Sequence, residues 1–420
     1  MSDWKRYKLS DLYEMSSGIS STKEQAGHGS PFLSFSVVFN NYFLPDSLID
    51  LMDTTVSEKQ KYSINEGDIF LTRTSETVDE LAMSSVALKD YPEASFSGFL
   101  KRLRPVDKTI VYPKFMAFYL RSPLFRRTII NNTVMTLRAS FNEAMFSYLE
   151  IILPDFDTQK KIGDFLYSLE KKKQINNQIN QELEAMAKTL YDYWFVQFDF
   201  PDQNGKPYKS SGGKMVYNPE LKREIPEGWE VEKLGDMAQF KNGINYEKTS
   251  SGSEKVKIIN VRNISSSTIF INQTDLDEIF LENDKSTNFI VNEGMILITR
   301  SGIPGATRLV SELEAKTVYS GFIIASEVND LIYKNLIFYY LKHVEEVLKN
   351  QSAGTIMKNI SQSVLTDMAV SLPPQNVLLK FNSIIDNLLE QMKNVQRQNQ
   401  ELTQLRDWLL PMLMNGQVII

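Results

Sequence analysis

The 420-residue sequence predicts an α+β chain: two mixed α/β modules separated by two long helices that form an antiparallel coiled coil, the whole a pseudo-two-fold internal repeat. Three observations predict it. The second half repeats the first in colinear order, and each half opens with short apolar runs punctuated by turn signals. Each half then ends in roughly forty residues nearly free of proline and glycine, with apolar residues spaced by fours and threes.

The repeat is read directly from the residues. Trp4 to Ile19 aligns without a gap on Trp229 to Ile244, with six identities in sixteen positions: Trp4/Trp229, Lys8/Lys233, Leu9/Leu234, Asp11/Asp236, Gly18/Gly243 and Ile19/Ile244. Further on, Asn65-Glu66-Gly67 leading into Ile69-Phe70-Leu71-Thr72-Arg73 matches Asn292-Glu293-Gly294 leading into Ile296-Leu297-Ile298-Thr299-Arg300. Ser97-Gly98-Phe99 meets Ser320-Gly321-Phe322, and Asn180 to Leu183 meets Asn399 to Leu402. The Asn-Glu-Gly turns feed β-rich runs, and the stretches from Lys114 to Arg121 and from Asn335 to Lys342 read as helices.

After Leu153-Pro154 and Leu372-Pro373-Pro374 the pattern changes. Phe165, Leu169, Ile179, Leu183, Met186 and Leu190 in the first half, and Ile384, Leu388, Val395, Leu402, Leu405 and Leu409 in the second, mark one seam on each helix. The middle of each seam is polar, at Lys172 and Asn176 and at Gln391 and Gln398. Helices of this length span roughly 50 to 60 Å, and paired antiparallel they would hold the modules at opposite ends. The turn-rich stretch from Phe198 to Glu227 joins the repeats. The boundaries follow: a first module at 1–155, a spacer helix at 156–200, a connector at 201–228, a second module at 229–371 and a second spacer helix at 372–420.

Composition excludes much chemistry. With no cysteine there are no disulfides, thiolate metal sites or thiol nucleophiles, which suits a reducing cytoplasm. Two histidines, His28 and His343, are too few for a metal site built on several imidazoles. No phosphate-binding Gly-rich loop with its Gly-Lys-Ser/Thr ending occurs, and Leu372-Pro-Pro-Gln375 is not the Asn/Asp-Pro-Pro-aromatic turn of adenine methyltransferases. No run is long enough for a membrane span, and no apolar segment follows the charged N-terminus as in a signal peptide.

Taken together the chain resembles the specificity subunit of a type I restriction-modification system. The resemblance covers the whole length and is most specific in the centre, from Leu190-Tyr-Asp-Tyr-Trp-Phe-Val-Gln-Phe-Asp-Phe-Pro201 through Asn204-Gly-Lys-Pro to Ile225-Pro-Glu-Gly-Trp229. It implies that the modules are target-recognition domains for the two halves of a split sequence in double-stranded DNA. It implies also that the helices dock two methyltransferase subunits, with restriction motor-nuclease subunits joining the complex. Methylation and cleavage, and with them S-adenosylmethionine, ATP and magnesium, would belong to those partners, and this chain would bind no cofactor. The competing reading is a coiled-coil interaction scaffold that does not read DNA.

The formal charge of −6 speaks against nucleic acid until its distribution is considered. From Gly98 to Ser140 nine cationic residues, including Lys101, Arg102, Arg104, Arg126, Arg127 and Arg138, face one acid, while Gly321 to Lys358 is neutral. The first stretch reads as a phosphate-tracking surface or, in the blander alternative, a solvated helix face. For base or phosphate contact the candidates are Arg73, Thr74 and Ser75, with Arg300, Ser301 and Gly302, in loops just beyond equivalent strands, although a residue shared by both repeats also suits a purely structural role. A second pair of loops carries Arg138 and Ser140, and Lys358 and Asn359; there Asn142 and Ser361 would serve equally as helix caps. The aromatic cluster from Tyr191 to Phe200 reads as a plug docking the helix end more readily than as a base-stacking platform.

Overall fold

The Asn-Glu-Gly turns take the same structure in the two halves. A computed structural model describes residues 4–133, 139–246, 252–351 and 359–418. Gly67 (φ +92°) and Gly294 (φ +83°) both occupy the left-handed region, which glycine enters without a Cβ penalty. The N–H of Gly67 donates to the Ala87 carbonyl and that of Gly294 to the Val310 carbonyl, each at 2.9 Å.

The strands these turns feed lie in matching sheets. In the first half β1 (Tyr13–Ser17), β2 (Ile69–Thr72), β3 (Ser84–Val86) and β4 (Leu100–Pro105) form an antiparallel sheet in the order β1-β4-β2-β3. In the second half β5 (Ala238–Asn242), β6 (Ile296–Thr299), β7 (Thr307–Leu309) and β8 (Ile323–Val328) take the order β5-β8-β6-β7. Ile69–Thr72 and Ile296–Thr299 are buried along their whole length, as unalternating apolar strands require. A three-stranded sheet accompanies each, and Lys5–Lys8 with Glu150–Leu153, or Glu230–Lys233 with Ala369–Leu372, ties each module's first strand to its last. Close glycines hold further contacts: a Cβ on Gly18 or on Gly243 would fall 2.3 Å from the carbonyl oxygen of Ser97 or Ser320.

The long proline-poor stretches are helices, α1 (Phe156–Tyr191) and α2 (Gln375–Met414). The described chain divides into two compact units, residues 1–175 with 398–420 and residues 176–397, so each helix contributes one half to each unit. In the first unit Ile162 and Leu166 of α1 share a core with Leu410, Leu413 and Met414 of α2, and Arg406 reaches Glu170 at 3.3 Å. In the second, Leu183, Ala187 and Tyr191 of α1 share a core with Phe381, Ile385 and Leu388 of α2. The early part of one helix meets the late part of the other in both units, which is the antiparallel pairing expected. The sequence-based boundaries set the helices apart from the modules, whereas packing divides each helix between units.

The seam itself needs correction. Leu183 and Leu388 are buried, and Phe165, Leu169, Leu190, Val395, Leu402 and Leu409 are half-buried. Ile179, Met186, Ile384 and Leu405 instead face outward, 42%, 56%, 43% and 40% exposed. Their inward places are taken by residues one step round the helix, such as Ala187 beside Met186 and Ile385 beside Ile384. A small alanine permits close approach of two backbones, so a search for large apolar residues passes over it. Of the polar mid-seam residues only Asn176 is buried. No described helix is long and apolar enough to cross a membrane.

Candidate nucleic-acid interface

Beyond β2 and β6 the two units place Arg73 and Arg300 in the same hydrogen-bond frame. The Arg73 N–H donates to the Phe99 carbonyl and its own carbonyl accepts from the Phe141 N–H, at 2.9 and 2.8 Å. The Arg300 N–H donates to Phe322, and its carbonyl accepts from Ile360, both at 2.9 Å. Each guanidinium donates through Nη1 to the glycine of the Ser-Gly-Phe turn, Gly98 at 3.4 Å and Gly321 at 3.2 Å. Arg73 is exposed and Arg300 half-buried, so both hold charge at the surface on a fixed backbone. That arrangement can neutralise a phosphate or fork onto a base edge.

The neighbouring candidates separate. Thr74 is half-buried, and Ser75 is buried, with Oγ donating to Glu80 at 3.2 Å and accepting from the Thr77 N–H at 3.2 Å. Ser75 therefore shapes its loop and offers no donor outward. Thr74-Ser75 pairs antiparallel with Ala139-Ser140, leaving Ser140 half-buried. In the second unit Ser301 is half-buried and Gly302, at φ +83°, is exposed, as is Asn359 before Ile360. Arg138 and Lys358 lie outside the described residues. Asn142 accepts from the Met145 N–H at 2.9 Å, and Ser361 from Val364 at 3.3 Å, so both cap the helices that follow.

The proposed basic surface between Gly98 and Ser140 is corrected by burial. Lys101 is 4% exposed, its ammonium donating to Ser17 Oγ at 2.9 Å and paired with Glu143 at 3.0 Å. Arg102 is buried with Nη1 on the Ser63 carbonyl at 2.6 Å, and Arg104 forks onto Asp68 at 2.8 and 2.6 Å. Arg121 turns inward to the carbonyls of Ser84, Val38 and Phe39, and burial lowers its pKa to about 10. Arg126 is half-buried with Nη2 on the Val78 carbonyl at 3.4 Å, whereas Arg127 and Lys108 are exposed. The aligned positions in β8 are Ile324 for Lys101 and Ala325 for Arg102, both buried. Part of the charge difference between the halves is thus sheet interior, at Lys101 and Arg102, while Lys108 and Arg127 stay exposed.

The aromatic cluster is also internal, except for Tyr193, which is exposed. Tyr191, Trp194, Phe195, Phe198 and Phe200 are buried, with Phe195 4.7 Å from Phe381 and Phe198 5.4 Å from Trp229, so these rings are not open to bases. Among the described residues no group of three His, Cys, Asp or Glu is placed to hold a metal. Sequence reasoning missed the outward apolar residues of the helices beyond its seam, Ile175 and Trp408 in the first unit and Leu379 in the second. The signal available was an apolar residue off the four-three register.

Comparison with known proteins agrees with this architecture. The family model for the type I restriction modification DNA specificity domain matches twice, at residues 1–185 and 226–404. The chain is 24% identical to the type I restriction enzyme MjaIX specificity subunit of Methanocaldococcus jannaschii, over 99% of this chain and 94% of that one. It is also 24% identical to the type I restriction enzyme HindI specificity subunit of Haemophilus influenzae, over the full length of both. In fold it is similar to the S subunit of a type I restriction-modification system from M. genitalium, with a TM-score of 0.55 at 14% identity, covering 98% of this chain and 96% of that one. With two family domains spanning most of its length, this chain belongs to the type I restriction-modification specificity subunits, non-catalytic proteins whose general role is recognition of a DNA target.

Proposed function

We propose that the chain reads a bipartite target in double-stranded DNA, one half-site per module, and docks two methyltransferase subunits along its helices. The observation that carries this reading is the duplicated frame around Arg73 and Arg300, a surface cation held by the same bonds in two modules whose adjoining loops differ. On this reading Arg127, Thr74, Ser140, Ser301, Gly302 and Asn359 are taken as further DNA contacts because they are exposed or half-buried, while Lys101, Arg102 and Arg104 hold the first module together. The outward apolar residues support docking: Ile175, Leu405 and Trp408 in the first unit, and Ile179, Met186, Leu379 and Ile384 in the second. Adenine N6 methylation with S-adenosylmethionine, and ATP- and magnesium-dependent cleavage by restriction subunits, take place on the partners, in the cytoplasm.

Mapping N6-methyladenine across the genome with and without the chain tests the role. Loss of a split, asymmetric methylated motif is expected, and unchanged methylation would refute the proposal. In vitro, Arg73→Ala and Arg300→Ala should each reduce the slope of log affinity against log salt by about 0.9 if they contact phosphate. A shallow wild-type slope without sequence preference would favour a scaffold that does not read DNA.

A further inference from the structure

The Ser-Gly-Phe turns present a second shared feature. Phe99 is 67% exposed and Phe322 64%, although each is flanked by buried residues on the same segment. A single exposed phenylalanine needs no explanation. Two at the same point of a duplicated fold do, because the intervening positions have diverged so far that buried Lys101 and Arg102 stand where the other unit has Ile324 and Ala325.

The backbone beneath each ring is fixed in the same way. Leu100 N–H closes a turn onto the Ser97 carbonyl and Ile323 N–H onto Ser320, both at 2.9 Å. Gly98 N–H donates to Ile19, and Gly321 N–H to Ile244, both at 2.7 Å. The phenylalanine carbonyls accept the N–H groups of Arg73 and Arg300 described above. Gly98 is needed beside its ring, since a Cβ there would fall 2.8 Å from the Ile19 carbonyl oxygen, whereas at Gly321 a Cβ would meet the movable side-chain amide of Asn245. Each unit therefore holds an apolar ring in water on a braced turn whose glycine carbonyl accepts from a guanidinium.

We propose that Phe99 and Phe322 are apolar contacts to the groove of duplex DNA, one per module, made alongside the phosphate that each neighbouring arginine faces. This rests on the DNA-reading function proposed above and adds residues and a mode of contact to it. A cation beside an apolar ring matches the two chemistries a duplex offers within a few ångströms, a phosphate and the faces of sugar and base edges. The contact is sequence-tolerant, because the same residue serves both modules while the half-sites differ. It contributes affinity and fixes how deeply each module seats, leaving base choice to the loops that the units do not share.

The test uses the full-length chain and a fluorescein-labelled duplex of mixed sequence, titrated at several salt concentrations. Phe99→Ala and Phe322→Ala should each weaken binding roughly tenfold, the scale of losing one partly buried phenylalanine side chain. The salt slope should stay at the wild-type value, because no charge is removed. Phe99→Tyr and Phe322→Tyr, which keep the ring, should bind as the wild type does, and matching thermal melts would show that the alanine variants are folded. If both alanine variants bind like a wild type whose slope is steep, the inference is overturned while the DNA reading stands. If the wild type itself shows no salt-dependent affinity, both fall. Wild-type DNA binding with lost capture of a methyltransferase subunit would make the turns protein contacts and also overturn the inference.

Discussion

Asp68→Asn should destabilise the first unit while leaving its electrostatic contact with DNA unchanged. Asp68 is fully buried and both its oxygens accept from Arg104, at 2.8 and 2.6 Å, in a forked pair. Removing one partner of a buried pair typically costs about 3–5 kcal/mol, because the other charge is left without compensation. The Arg104 side chain is 29% exposed, so water recovers part of that, and a loss of about 2–3 kcal/mol is expected. For a unit of this size that corresponds to a fall of roughly 5–10 °C in Tm, read by calorimetry of the full chain. Combining Asp68→Asn with Arg104→Met should recover most of the loss, since no charge is then stranded and the amide oxygen at position 68 can still accept from the Asn65 N–H. The folded Arg104→Met variant should keep the wild-type salt slope for duplex binding. An unchanged Tm for Asp68→Asn, or a double variant no better than the single, would refute the account of the pair. A salt slope reduced by about one in Arg104→Met would restore Arg104 as a phosphate contact.

Gly163→Ala tests how closely α1 approaches the helix Pro113–Tyr119. Alanine would gain about 1 kcal/mol in helix propensity, but its Cβ would lie 2.6 Å from the Phe115 backbone nitrogen, and forced repacking costs about 1–3 kcal/mol. The contact atom is backbone and cannot swing away, so a net loss is expected in urea unfolding; a stabilised variant would show that the two helices can separate freely. Asp164 gives the pH dependence. Burial raises its pKa, but hydrogen bonds from Lys114, Tyr112 and Lys160 outweigh this and lower it from 3.8 to about 2. A carboxylate depressed in the folded state stabilises fully above pH 3.8, and that contribution disappears as pH falls towards 2. With the side chain 37% exposed, screening keeps the effect below about 1 kcal/mol. The urea midpoints of wild type and Asp164→Asn should therefore converge across that window, and a constant difference would contradict the assignment.

The sequence made the duplication legible because both periodicity and turn chemistry are local. Asn-Glu-Gly announces a turn whichever module it sits in, and Gly67 and Gly294 take the positive φ that it demands. The helices were legible for the same reason, but their inward faces only in part. Met186 is large, apolar and outward, while Ala187 is small and buried, and which of them meets the partner helix depends on how closely the backbones approach. Charge was the least legible property. Lys101, Arg102 and Arg104 alternate with Leu100 and Leu103 on a strand, and a run of cations in sequence looks like a surface. What hides them is distant in the chain: Glu143 for Lys101, the Ser63 carbonyl for Arg102 and Asp68 for Arg104. No window of sequence contains both members of those pairs.

The duplication supplies its own control on which residues can carry specificity. On the proposed reading, two modules with different half-sites cannot choose bases with features they have in common, so the frame around Arg73 and Arg300 and the braced turns of Phe99 and Phe322 would serve affinity and seating. Choice would then fall to what one unit has and the other lacks. In the first unit that is the short pairing of Thr74-Ser75 with Ala139-Ser140, closed by Ser75 on Glu80. In the second it is the loop Ser301 to Gly305, where Gly302 and Gly305 both adopt positive φ and the Thr299 hydroxyl donates to the Ile303 carbonyl. Both leave from the same strand end, one residue past the shared arginine. On that reading a fixed cation beside a variable loop would let the target sequence change without disturbing the bonds that position the module, the division of labour a two-site reader requires.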